Sequence, residues 1–184
     1  MLALNFTPFP TLITDRLILR KITLEDAPEL FFMRTDDRVM KYIERPRPKD
    51  LNDTIVFINS IHEKEKNNDL ITWGIALKNE PQLIGTVCYL NIEKENYRSE
   101  LGYALHPDHW GKGVMHEVLD VVIDYGFKEM KLHSIAANIN PENIGSQKLL
   151  EKNGFVREAY FKENFYWQGK FLDTIIYSLL TPLK

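Results

Sequence analysis

The spacing Gly111-Lys112-Gly113 can hold an anion. A glycine turn that opens a helix aims successive backbone N–H groups, with the helix dipole behind them, at one point. Missing Cβ atoms let a phosphate close on the backbone, and Lys112 adds a positive charge. The same turn also serves a strand-to-helix corner on steric grounds alone, so by itself it leaves both roles open. Two nucleotide motifs fail on residues: Val114 follows Gly113 where a Walker A loop needs Lys-Ser/Thr, and His116 stands where a dinucleotide fingerprint needs its third glycine. His106-Pro-Asp-His109 brings two imidazoles near an acid, but on a proline-bearing loop with no third partner at ligand spacing, so no metal is expected. Cys88, the only cysteine, excludes an intrachain disulfide and a cysteine-based zinc cluster. Inside an apolar strand it reads as a small buried hydrophobe.

The elements that must position this turn are those of one ordinary domain. The 184 residues are 44% hydrophobic and 27% charged, a globular composition. A net charge of −3 gives no general attraction to nucleic acid or an anionic membrane. The first residues lack an early positive region and are broken by Pro8 and Pro10, unlike a secretory signal. No apolar run approaches the roughly 20 residues of a membrane span, and a cytoplasmic protein is expected.

Thr11–Ile22 alternates apolar residues and reads as a first strand. Asp26-Ala-Pro-Glu29 reads as a capping box with Pro28 in the first turn. Arg45-Pro-Arg-Pro48 is a loop, because each proline restricts its predecessor. Asp50 then caps a helix to about Lys66, with Leu51, Ile55, Ile58 and Ile61 or His62 on one face. Ile71–Leu77 and Leu83–Leu90 alternate with period two around a turn at Asn79-Glu-Pro81, and Tyr97–Leu105 completes an antiparallel meander. Beyond the glycine turn, Val114, Val118, Leu119, Val121, Val122 and Tyr125 line a helix face. His133–Ile139 follows as a strand parallel to the third, since a helical crossover joins them. Asn143 caps the next helix and Gly154 ends it; Phe155–Trp167 and Phe171–Leu180 form a hairpin around Gln168-Gly-Lys170. One mixed α/β domain over residues 1–184, with its core at about 11–180, is the organisation expected.

Two long segments carry a resemblance. LGYALHPDHWGKGVM (101–115) and NPENIGSQKLLEKNGF (140–155) resemble the GNAT N-acetyltransferases, closest to the RimJ/RimL-like branch that acetylates protein N-termini and other amines. TDRLILR (14–20) and GKFLDTIIYSLL (169–180) are similar to that branch too, so the likeness covers nearly the whole chain. The resemblance implies a twisted mixed sheet of about seven strands, splayed at a parallel pair, with helices on both faces. Acetyl-CoA would lie in the splay, its pyrophosphate on the amides of Gly111, Lys112, Gly113, Val114 and Met115. Its pantetheine would follow the backbone of Tyr103, Ala104 and Leu105. Trp110, Asn138, Asn143 and Ser146 complete the implied cofactor contacts. Trp110 replaces the family's Gln/Arg, and Met115 replaces a small residue; a Met115 side chain turned to the ligand would obstruct it, one turned to the core would not.

Direct transfer of an acetyl group to an amine requires a neutral amine, a donor for the developing oxyanion and relief of the leaving thiolate. The resemblance implies an oxyanion donor at the backbone N–H of Leu105 or His106. It implies Glu100 as base, on a strand face shared with Gly102 and Ala104; a solvent-facing carboxylate is the plainer alternative. Glu163 and Glu158 are reserve bases. The family's usual acid, a tyrosine, falls at Leu150, which has no proton to give, so Ser146 is what remains near the sulfur. Arg45, Arg47 and Lys49 border the implied acceptor site, as selectors of an acidic acceptor or as a solvated loop. The expected function is acetyl-CoA-dependent N-acetylation of a protein N-terminus or small-molecule amine, without metal, membrane or nucleic acid and with a homodimer possible. The alternative is a catalytically weak CoA-binding module of the same fold.

Overall fold

The computed structural model describes residues 1–182. Strands β1 (Leu12–Ile13), β2 (Leu17–Lys21), β3 (Ile71–Leu77), β4 (Glu80–Glu93), β5 (Arg98–Leu105), β6 (Ser134–Ile139), β7 (Val156–Trp167) and β8 (Lys170–Leu180) alternate with helices α1 (Ala27–Thr35), α2 (Asp37–Met40), α3 (Leu51–Lys66), α4 (Val114–Lys128) and α5 (Ile144–Lys152). The strands form one sheet of eight in the order β1-β2-β3-β4-β5-β6-β8-β7. All neighbours are antiparallel except β5 and β6, which are parallel as the α4 crossover dictates.

The count exceeds the expected seven because the first strand is two. Thr14 N–H donates to the Leu17 carbonyl at 3.1 Å, and Leu17 N–H returns to the Thr14 hydroxyl at 2.9 Å. This tight turn at Asp15-Arg16 folds Leu12 back onto Leu19. A two-residue turn without Gly or Pro preserves the apolar alternation, which is why the break does not show in the pattern. The expected capping box is also displaced. Asp26 accepts the Thr23 N–H at 2.8 Å and both Nη atoms of Arg20 at 2.8 and 2.7 Å, whereas Glu29 accepts from Gln82. The β3–β4 turn lies at Lys78-Asn79, so Glu80 and Pro81 already belong to a longer β4 than expected. On α3, capped by Asp50 as expected, Leu51 is exposed and Thr54, Ile58, Ile61 and Glu65 are buried.

Each sheet face has its own core. One packs α4 and α5 over Leu17, Leu19, Trp73, Ile75, Val87, Tyr89 and Leu101. Leu2 and Phe6, outside the 11–180 core read from the sequence, are buried in it too. The other packs α1 and α3 over Ile22 and Leu83, with Ala104 against it. Helix α4 approaches the sheet closely at Gly126, where a Cβ would drive into the Tyr89 hydroxyl that donates to the Val122 carbonyl at 2.9 Å. Cys88 is half-buried, and burial pushes its thiol up to about 11, so it is no ready nucleophile.

Candidate active site

The parallel ladder between β5 and β6 is short. Arg98 pairs with Ser134, Ser99 with Ile135 and Glu100 with Ala136, and there it stops. Beyond Glu100, β5 continues against β4 alone, while β6 continues against β8. The sheet therefore opens into a wedge whose walls are Leu101–Leu105 on one side and Ala137–Ile139 on the other. Backbone polar groups on these inner edges lack the neighbouring strand that would satisfy them, which makes the wedge a place for an extended ligand.

The wall is more constrained than the sequence suggested. His106 N–H donates to the Ile84 carbonyl at 2.7 Å, so it is not free to hold an oxyanion. Alternation turns the polar groups of Leu105 the other way, into the wedge. Of the two amides considered, Leu105 remains. Its carbonyl accepts the Trp110 indole N–H at 2.8 Å. Trp110, half-exposed, thus ties the end of β5 to the start of the glycine turn.

Gly111 and Gly113 have φ of +72° and +73°, the left-handed region that favours glycine. A Cβ on Gly111 would meet nothing within 4 Å, and one on Gly113 only Arg16 Nη2 at 3.8 Å, so the space beside both glycines is open. Among the described residues the amides of Gly111, Lys112 and Gly113 donate to no protein acceptor, and Val114 and Met115 head α4, where amides have no partner one turn back. Met115 is 8% exposed and belongs to the main core, so its side chain points away from this cradle. These features fit a pyrophosphate.

Sequence reasoning missed the clamp behind the cradle. Glu117, in the first turn of α4, accepts from the Thr14 hydroxyl at 2.5 Å, the Arg16 N–H at 3.0 Å and Arg16 Nε at 2.6 Å. Arg16 Nη1 reaches on to the Lys112 carbonyl at 3.2 Å. Burial would raise the Glu117 carboxyl, but these donors outweigh it and hold it below the usual range. The β1–β2 turn hidden from the alternation pattern is thus what braces the glycine loop.

On the α5 side, the Asn143 side chain accepts the Ser146 N–H at 3.0 Å and so caps the helix. Ser146 is 7% exposed, and its Oγ lies 2.5 Å from Tyr103 Oη. Leu150, fully buried, offers only carbon. Asn138 stands exposed on β6, on the far wall of the wedge.

The α1–α3 side holds a cleft of about 610 Å³ between the 40–47 segment, Asn140–Glu142 and the β7–β8 hairpin. Asn140 Nδ2 donates to Glu44 Oε1 at 2.9 Å and joins two of these walls. Glu163 lines the cleft; Glu158 and Glu100 do not. Glu100 lies at the wedge's apex, where it accepts from Asn91 Nδ2 at 2.8 Å. Arg47 lines the cleft but is tied to Asp37 at 2.6 Å, whereas Arg45 lines it with no carboxylate partner among the described residues. Lys49 is absent from the lining. His106 stacks on Phe32 at 4.7 Å, and among the described residues no group of three or more His, Cys, Asp or Glu is placed to hold a metal ion. No helix among them is long and apolar enough to cross a membrane.

Comparison with known proteins fits this geometry. Residues 16–156 match the family described as acetyltransferase (GNAT) domain. The chain is 34% identical to the uncharacterized N-acetyltransferase YoaA of Bacillus subtilis, over 95% of this chain and 98% of that one. It is 30% identical to the [ribosomal protein uS5]-alanine N-acetyltransferase of Escherichia coli, over 95% and 93%. The solved structure of RimL, a ribosomal L7/L12 alpha-N-protein acetyltransferase in complex with coenzyme A, shares the fold at a TM-score of 0.86, with 17% identity over 95% of this chain and 100% of that one.

Proposed function

The chain belongs to the GNAT acetyltransferase family, and from that membership we propose that it acetylates the α-amine of a protein N-terminus by direct attack on acetyl-CoA in a ternary complex. Acetyl transfer to an amine is the activity its relatives share; the protein N-terminus is the finer reading, supported by the uS5-alanine enzyme among them. The observation that carries it is the wedge ending at Glu100 and Ala136, with an anion cradle on one flank and a cleft on the other. A donor and an acceptor entering from opposite flanks would meet at its apex. The proposal includes a cytoplasmic location, where ribosomal proteins are made.

The amides of Gly111–Met115 bind the pyrophosphate, and Arg16 keeps the nearby Glu117 carboxylate from opposing it. Tyr103, Ala104 and Leu105 align the pantetheine arm, with Asn138 and Asn143 facing the same ligand. Acetyl-CoA supplies the activated acetyl group. Glu100 takes the proton of the acceptor amine, its carboxylate held by Asn91, and the Leu105 N–H faces the developing oxyanion. Glu163 and Arg45 contact the rest of the acceptor from the cleft. No observation favours the CoA-binding module that lacks catalysis.

Thiol release from acetyl-CoA over a panel of peptide N-termini, polyamines and amino sugars tests this reading. Release with peptides, and an acetyl group on their α-amine, is expected. Release only with polyamines or sugars would overturn the acceptor, and none with any amine would overturn the activity.

A further inference from the structure

Tyr103 and Ser146 are 43 residues apart, yet their hydroxyls form a part-buried pair at 2.5 Å. Tyr103 leaves β5 on the face of Leu101 and Leu105, toward α5, and Ser146 meets it from that helix's first turn. Neither hydroxyl has another partner among the described residues. Each owns one proton and two lone pairs, so the single bond consumes one proton and leaves the pair with one free O–H. A phenol is the stronger donor and an aliphatic alcohol the better acceptor. Tyr103 therefore gives its proton to the bond and Ser146 keeps its own. Accepting that bond polarises the alcohol and strengthens its remaining O–H as a donor.

We propose that Tyr103 is a positioning residue for the leaving group, donating to Ser146 Oγ so that the Ser146 proton is presented to the sulfur of the departing coenzyme A. The inference rests on the acetyltransferase reading and adds to it a side-chain role for Tyr103, whose backbone alone was expected to matter. Tyr103 is not itself the acid. Burial pushes its phenol up to about 12, with the Ser146 bond only partly opposing. An ordinary thiol lies near about 8.5, so proton transfer from this phenol to a thiolate would run uphill. In the step the amine nitrogen bonds to the acetyl carbon, the C–S bond breaks with its electron pair on sulfur, and the amine proton passes to Glu100. Both hydroxyls keep their protons, and the sulfur departs as a hydrogen-bonded thiolate.

The test is the thiol pKa of coenzyme A bound to the full chain, read from thiolate absorbance, in the unaltered protein, Tyr103→Phe, Ser146→Ala and the double variant. Tyr103→Phe keeps the buried ring, and unchanged affinity for coenzyme A in the thiol form shows that it folds. Both single variants should raise the bound thiol pKa by about half a unit or more, as expected for a weakened hydrogen bond to the charged form. The double variant should match Ser146→Ala, because Tyr103 acts only through Ser146. Tyr103→Phe should lower kcat about five-fold with KM for acetyl-CoA unchanged. An unchanged thiol pKa in Tyr103→Phe beside a raised one in Ser146→Ala would overturn the inference, as would additive shifts in the double variant. A thiol pKa unmoved by either single variant would remove Ser146 as well. Failure of the acetyltransferase reading shows separately, as no thiol release by the unaltered chain with any amine, and it takes this inference with it.

Discussion

Glu100 pairs with Ala136 in the last parallel step between β5 and β6, and Leu101, the next residue, pairs only with Tyr89 of β4. One carboxylate therefore stands where a continuous sheet becomes a wedge. Glu100→Gln should lower turnover about 100-fold or more, the range for loss of a general base, with affinity for acetyl-CoA unchanged in calorimetry. Glu163→Gln should instead raise KM for the acceptor, because Glu163 lines the cleft. Full turnover in Glu100→Gln together with collapse in Glu163→Gln would exchange the two roles.

Gly113 has φ of +73° and open space where a Cβ would project. Asp at this position tolerates the left-handed conformation but sets a carboxylate against the bound anion. Gly113→Asp should weaken acetyl-CoA about ten-fold or more with little change in thermal midpoint, as calorimetry and melting would show. Unchanged affinity would remove the pyrophosphate from this turn.

Arg16 is half-exposed, so its ion pair with Glu117 contributes little stability, less than about 1 kcal/mol. Its effect on the ligand should be larger. Arg16→Ala leaves the Glu117 charge uncompensated beside the cradle and should weaken acetyl-CoA about five-fold, more at low salt. Arg16→Ala combined with Glu117→Gln should recover most of that loss. Recovery separates charge compensation from simple bracing of the loop, which the double variant would not repair.

Asp26 is 5% exposed beneath Arg20. Burial alone would raise its carboxyl, but the Arg20 hydrogen bonds and the Thr23 amide prevail and hold it below its ordinary value. A carboxyl lowered on folding contributes stability that is present above its unfolded pKa of about 3.9 and is lost as pH falls through the folded value. Asp26→Asn should cost about 2 kcal/mol at neutral pH, discounted from a fully buried pair because Arg20 is partly exposed. In urea titrations the variant should lose less stability than the parent between about pH 5 and pH 2. Parallel losses would place the acid sensitivity elsewhere.

Local features were legible in the sequence. Gly111-Lys112-Gly113 and the Asn143 cap each depend on a few consecutive residues whose conformational preferences act where they stand. Periodicity also carried the crossover through α4, and with it the parallel pair. The Asp15-Arg16 reversal stayed hidden because its turn residues do not interrupt alternation, and with it went the clamp on Glu117. Tyr103 and Ser146 meet only after the sheet opens and α5 docks across it; no spacing rule joins residues so far apart. Likewise, the loss of His106 as an oxyanion donor depends on register with Ile84, and register is set by packing.

The central claim is that the wedge brings an acetyl donor to Glu100, and a crystal structure of the chain with coenzyme A tests it most directly. The account predicts pyrophosphate oxygens on the amides of Gly111–Met115, pantetheine along Tyr103–Leu105, and the sulfur within hydrogen-bond reach of Ser146 Oγ. Coenzyme A bound with its sulfur outside the wedge, or its phosphates away from the glycine turn, would contradict it.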